Sequence, residues 1–429
     1  MSRKTIELAK TILILLLTIS GMFLAWQAGI FNGVVTAFPV IGNTLELMRG
    51  PATISQAPPR GGAIQEAARP VSIVITNADG ERFGVRHDTE LRNVVYDMSS
   101  SIFGEALGFA GEHMQVTEDE WRQALSEHSV FFEYITPVSL SVLDGWFGAR
   151  MPDDAAYDIE IRRILVSFSG ERSRIYFQDN YSGLYFAADT ASAAGKAQDL
   201  EIFVPNGVEF AFETGLRGSE NAPYFLILQG DYHSDIQSAA AGNQHELLEL
   251  ALNVFGHIHE ALPTPFIADG DVLMSLGSNF NLRIEPDGRA VYRWTDEVAR
   301  ENISAPSIAE MIETARVLAV DSIGQKQGEA EVMFESIEYD EGLYTVIFGY
   351  YFAGGRIYLY DDRPAARVTF DYGTIIEAEL NFRSFVSTGT RTRLVPQRQA
   401  LAAAGGEFIL SYFDTGSEIL YPSWVKVWF

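Results

Sequence analysis

Residues 349–385 read GYYFAGGRIYLYDDRPAARVTFDYGTIIEAELNFRSF. Near the end of this stretch Ile376, Ala378, Leu380 and Phe382 alternate with Glu377, Glu379, Asn381 and Arg383. A period of two sends the apolar set to one face of a strand and the polar set to the other. Val368 and Phe370 against Arg367, Thr369 and Asp371 repeat the alternation. The pattern predicts an antiparallel sheet with one wet face. Just upstream, SIAEMIETARVLAVDSIG (307–324) opens with Ser307 and Glu310 at capping-box spacing and puts Ile308, Met311, Ile312, Ala315 and Ala319 on one helical face. The natural assembly is one amphipathic helix laid on the dry side of a curled antiparallel sheet. The stretch holds no nucleophile beside a base, no cluster of metal ligands and no phosphate loop.

Working outward, NLRIEPDGRAVYRW (281–294) predicts a hairpin around Asp287-Gly288, because apolar alternation flanks a dipeptide that readily takes positive φ. HELLELALNVFG (245–256) predicts a helix with Leu247, Leu248, Ala251, Val254 and Phe255 as its apolar stripe and Gly256 as its stop. VSIVITNADGERFGVRHD (71–88) reads as two strands joined at Asp79-Gly80. Asp88 then caps a helix bearing Leu91, Val94, Val95, Met98 and Ile102, and Thr117 with Glu120 caps a second. VFFEYI, RRILVSF, SRIYFQD, GLYFAA and VEFAFE follow as short strands, and the chain closes with a helix near 395–404 and the strands EFILSYFD and YPSWVKVWF.

The 429 residues carry 57 acidic against 31 basic side chains, a net charge of −26, which disfavours nucleic acid as a partner. The absence of cysteine excludes a disulfide-stapled domain and thiolate metal sites. The first ten residues run against the acidic trend, with Arg3, Lys4 and Lys10 against Glu7. TILILLLTISGMFLAWQAGIF (11–31) has no charge, and at ~1.5 Å per residue a helix of that length crosses a ~30 Å hydrocarbon layer. Its length, and Trp26 and Gln27 near its end, read as an uncleaved anchor rather than a signal peptide. The positive start places the amino terminus in the cytoplasm and the bulk outside.

The expected fold class is therefore α+β: a cytoplasmic start (1–10), a single transmembrane helix (11–31) and a linker (32–71). A mixed extracytoplasmic domain (72–235), a central module (236–305) and a C-terminal sheet module (306–429) complete it. Gly21, Ala25 and Gly29 fall four apart and suit close approach of another membrane helix. His257 and His259 share one side of any strand, yet no third ligand accompanies them, and they read as solvated or locally bonded. Asp231, His233 and Asp235, and Asp269 with Asp271, lack the loop spacing of a calcium motif. No catalytic, cofactor or metal residue is assigned, since no hydrolase, zinc or nucleotide motif occurs.

The chain resembles the YycH/YycI family of Gram-positive bacteria, accessory regulators of the WalK (YycG) sensor histidine kinase. The likeness rests on the basic start and single anchor, RFGVRHD (82–88), NLRIEPDGRAVY (281–292), the stretch around FGYYFAGGRIYLYDDRPAARVTFDYGTII (348–376), and PSWVKVW (422–428). The length resembles YycH more than YycI, and the third module resembles PepSY-like helix-on-sheet domains. The resemblance implies a non-enzymatic protein, without cofactor, that contacts a sensor kinase through its membrane helix and outer domains, with a YycI-like paralogue as a further partner. The alternatives are a cell-wall-directed hydrolase and a PepSY-type binder of a peptidase.

Overall fold

The Asp79-Gly80 turn forms as predicted: Gly80 has φ 80°, and β1 (Ser72–Thr76) and β2 (Arg82–Val85) pair antiparallel around it. Asp88 accepts a hydrogen bond from Leu91 N at 2.9 Å and caps α1 (Thr89–Gly108). After β3 (Met114–Val116), the Thr117–Glu120 capping box opens α2 (Glu118–Ser126). There follow β4 (Ser129–Ser139), α3 (Leu140–Phe147), β5 (Glu160–Ser169), β6 (Arg172–Asp179) and β7 (Tyr185–Thr190). The seven strands lie in the order β2-β1-β4-β5-β6-β7-β3, every pair antiparallel. This computed structural model describes residues 68–148, 159–169, 172–190, 194–256, 265–267, 271–296, 306–415 and 418–427. All belong to one unit, Ile54–Phe429; a second unit, Met1–Thr53, lies outside the described residues.

The central strands β1, β4 and β5 are buried on both faces and carry apolar runs. Ile73, Phe132 and Ile164 cluster with Val95, Ile102 and Phe103 of α1, where Phe103 and Phe132 stack at 3.9 Å. Val74, Phe131 and Leu165 point the other way, against Trp121 of α2, Phe210 and Tyr224. The α1 stripe differs from expectation at one turn: Val94 is exposed, whereas Arg92 is fully buried and paired with Glu331. VEFAFE is strand only at β8 (Glu209–Phe210), which pairs with β9 (Leu226–Ile227). Glu213 accepts from Phe210 N at 3.2 Å, and the chain turns helical through Ala211–Thr214.

Next come β10 (Tyr232–Ala240), α4 (Gln244–Val254), and the meander β11 (Phe266–Ile267), β12 (Leu273–Leu276), β13 (Phe280–Ile284) and β14 (Arg289–Trp294). Gly256 and Gly288, with φ 75° and 90°, mark the helix stop and the hairpin as predicted. α5 (Ile308–Asp321), with its Ser307–Glu310 capping box, precedes β15 (Glu331–Asp340), β16 (Leu343–Phe352), β17 (Gly355–Tyr358), β18 (Ala366–Asp371), β19 (Thr374–Asn381) and β20 (Arg383–Arg393). The chain continues through α6 (Gln397–Ala404), β21 (Phe408–Phe413), β22 (Ile419–Leu420) and β23 (Ser423–Lys426).

Eleven strands join in the order β11-β12-β13-β14-β19-β18-β16-β17-β21-β23, with β15 on the rim beside β16. Strands on either side of residue 305 are thus hydrogen-bonded into one sheet, through β14 and β19. The pairs are antiparallel except β17 with β21, which run parallel. A third sheet, β20-β10-β22, joins residues that the sequence reading assigned to different modules. α5 covers the dry side, with Met311, Ile312, Ala315 and Ala319 buried against Val346, Phe348, Val368 and Phe370. The opposite face of β19 is drier than predicted. Glu379 and Asn381 are buried there, because Arg289 reaches Glu379 at 2.9 Å and Asn381 Nδ2 donates to the Pro364 carbonyl at 2.8 Å. Ile308, expected on the apolar face of α5, is exposed at the helix start.

Trp121 is entirely enclosed by Phe131, Tyr185 and Tyr224. Trp121→Ala should cost about 3–5 kcal/mol of unfolding free energy, measured by urea titration.

Candidate functional site

β2 ends at Val85, and the two residues before the Asp88 cap, Arg86 and His87, turn into the space between the first sheet and the eleven-stranded one. There they meet the turn between β16 and β17. Ala353 and Gly354 both have positive φ, 47° and 69°, which makes a two-residue turn. A Cβ on Gly354 would lie 3.0 Å from the Arg86 carbonyl oxygen and 3.3 Å from Arg86 Cγ, so only glycine lets the turn seat there. His87 Nδ1 donates to the Ala353 carbonyl at 2.8 Å. The His87 ring stands edge-on to His233 of β10 at 4.9 Å, and His233 stands edge-on to Trp424 of β23 at 5.2 Å. Three of the stretches that carry the family resemblance, RFGVRHD, FGYYFAGG and PSWVKVW, thereby touch at one place. Burial, then the Arg86 charge and the neighbouring His233, hold His87 down at about 3. Burial likewise lowers His233, against the pull of Asp231. Both rings are neutral near pH 7.

Beside them, three guanidiniums meet two carboxylates. Glu133 of β4 is 2% exposed and accepts from Arg163 Nη2 at 2.9 Å and from Ser72 Oγ at 3.2 Å, with Arg162 at 3.4 Å and Arg86 at 3.9 Å. Glu407, just before β21, accepts from Arg162 Nη1 at 2.6 Å and pairs with Arg163. The residues come from both sheets. Burial alone would raise the Glu407 carboxyl, but Arg163 and Arg162 outweigh it and hold it at about 2. The same balance lowers Glu133, whereas burial and the nearby guanidiniums lower Arg86 against the pull of Glu133. At such burial the ionic form survives only through mutual pairing. The arrangement fastens β4 and β5 to the start of β21.

The residues singled out in the sequence are placed as follows. Gly21, Ala25, Gly29 and the expected anchor lie outside the described residues, as do His257, His259 and Asp269. Among the described residues no helix is long and apolar enough to cross a membrane. Asp231 lies 3.6 Å from Arg393, Asp235 accepts from Thr390 Oγ1 at 2.8 Å, and a bulge between Ser234 and Ile236 separates Asp235 from the aromatic cluster that takes His233. Asp271 serves through its backbone carbonyl, which accepts from Gln244 Nε2 at 2.9 Å. Among the described residues no group of three or more His, Asp or Glu side chains is placed to hold a metal. Sequence reading overlooked the Arg–Glu junction. Its signal was available in Arg162-Arg163 and Glu133, charges set inside apolar strands.

No family model and no curated protein matches the chain. Among solved structures, the crystal structure of YycH from Bacillus subtilis is similar, with a TM-score of 0.55 at 11% identity, over 86% of this chain and 96% of that one. The chain therefore has a YycH-like fold.

Glu133→Gln leaves Arg86, Arg162 and Arg163 with one carboxylate, and should cost about 3–5 kcal/mol of stability in urea titration. In an unfolded chain His87 titrates near 6.5 and Glu407 near 4.5, against about 3 and about 2 in the fold. The unfolded state therefore takes up protons first as pH falls, and stability declines, through His87 below about 6.5 and through Glu407 between about 4.5 and 2. Replacing His87 by Phe should flatten the loss between pH 6 and 5 by up to about 1.4 kcal/mol per pH unit. An unchanged slope in urea titrations at the two pH values would contradict this.

Proposed function

We propose that the chain is a single-pass membrane protein, its amino terminus cytoplasmic and its bulk outside, that modulates a WalK/YycG-like sensor histidine kinase by protein–protein contact. A YycI-like paralogue is the further partner. The observation that carries this reading is the YycH-like fold extending over 86% of the chain, in agreement with the resemblance of RFGVRHD, NLRIEPDGRAVY and the 349–385 stretch to that family. The buried charges support it. Glu133 and Glu407 are committed to guanidiniums, and a junction of that kind holds a shape between two sheets. Residues 11–31 would then bring the rigid outer part to its partner, with Gly21, Ala25 and Gly29 as the helix contact. Modulation further requires that the outer part bind two states of the kinase unequally, since equal affinity shifts nothing.

The test is co-purification of the kinase from membranes with the full-length protein. Replacing residues 11–31 by a Leu-rich helix should abolish it, and Gly21→Leu, Ala25→Leu and Gly29→Leu together should weaken it at unchanged membrane insertion. Undiminished co-purification in the helix replacement would remove the helix from the mechanism.

A further inference from the structure

β15 is the rim strand of the eleven-stranded sheet, paired with β16 on one side only. Its first half is occupied. Phe334 meets Trp146 of α3 edge-on at 6.3 Å, and Glu331–Phe334 face Tyr134–Thr136 of β4 across a cavity of about 160 Å³. A bulge at Glu335 ends that half: the pairing shifts between Phe334 and Ser336. The Glu335 carboxylate folds over Gly349, where a Cβ would collide with it, and accepts from Tyr351 Oη at 2.8 Å and Arg356 Nη2 at 2.7 Å. Beyond the bulge, Ser336–Asp340 has no strand on its outer edge among the described residues. Glu341 and Gly342, with φ 48° and 92°, close the hairpin in the two-residue turn whose twist matches its strands.

The two faces of the open half differ. Ile337 packs on the core, and Tyr339, 66% exposed, meets Tyr344 across the hairpin at 4.8 Å with the two rings tilted. On the other face Glu338 and Asp340 are exposed, with Glu341 beside them at the turn, and none of the three makes an ion pair among the described residues. Unpaired edges are templates for an added strand, and natural sheets blunt them with charged side chains, proline, bulges or a cover. The charges on residues 336–340, Glu338 and Asp340, are of one sign, so this edge repels an acidic strand and admits a basic one.

We infer that Ser336–Asp340 is a strand-addition site for an extended, basic segment of a partner protein, one that alternates apolar residues with Lys or Arg. Main-chain hydrogen bonds to β15 supply the pairing, and the alternate side chains supply selectivity. Apolar groups of the added strand fall beside Ile337 and Tyr339, and its cations beside Glu338 and Asp340. A second copy of the chain fits poorly. Its own β15 would set Glu338, Asp340 and Glu341 against like charges, in a protein of net charge −26. The site is independent of the kinase reading, since it specifies the chemistry of the bound segment and not its owner.

The probe is a short synthetic peptide alternating valine and lysine, compared with one of the same composition in which the two residue types are grouped. Binding to the full-length protein in detergent is read by calorimetry, and the contact is located by amide hydrogen exchange. The alternating peptide should bind about tenfold more tightly than the grouped one, should newly protect amides within 336–340, and should lose that advantage in the Glu338→Lys/Asp340→Lys protein. The inference is overturned by equal binding of the two peptides, by no binding, by protection elsewhere, by amides already protected in the free protein, or by concentration-dependent dimers that pair through this edge. Should the double variant fail to fold, the peptide comparison and the exchange map on the unaltered protein still decide.

Discussion

Glu133 and Glu407 sit where a carboxylate is costly unless it is paired, and each is paired with arginines presented by β5. That reciprocal satisfaction joins the first sheet to the last part of the chain, because Glu133 belongs to β4 and Glu407 precedes β21. The aromatic cluster of His87, His233 and Trp424 lies alongside, and burial lowers both histidines so that they are neutral near pH 7. A mainly apolar core fills the space between sheets, but apolar contacts have no direction. The charged junction adds direction, since Arg162 and Arg163 each reach both carboxylates and charge-assisted hydrogen bonds depend on geometry.

The two sheets are fastened at several places, the Glu133–Glu407 junction, the Arg92–Glu331 pair and the Gly354 turn among them. The rim strand β15 illustrates this. Its first half is spent on β4 and α3, its bulge is anchored over Gly349, and among the described residues no strand pairs with the outer edge of the remaining half.

Much of the local structure was legible because it depends on near neighbours in the chain. The capping boxes at Thr117 and Ser307, the Asp79-Gly80 and Asp287-Gly288 turns and the α5 stripe from Met311 to Ala319 form as read. Two misreadings trace to a distant residue: Arg92 is buried on α1 because it pairs with Glu331, and the polar face of β19 is dry because Arg289 covers Glu379. The third is local, since Glu213 accepts from Phe210 N three residues earlier and turns VEFAFE helical.

The sequence alone determined the capped helices, the hairpin turns, the antiparallel pairing of β18 with β19, the acidity and the absence of disulfides, because periodicity, turn chemistry and composition are properties of short windows. Only the tertiary structure decided that strands on both sides of residue 305 share one sheet, that His87 and Trp424 meet, and that Arg86, Arg162 and Arg163 converge on Glu133 and Glu407. Those are contacts between residues up to hundreds of positions apart. Their energies depend on burial and geometry, which no local pattern encodes.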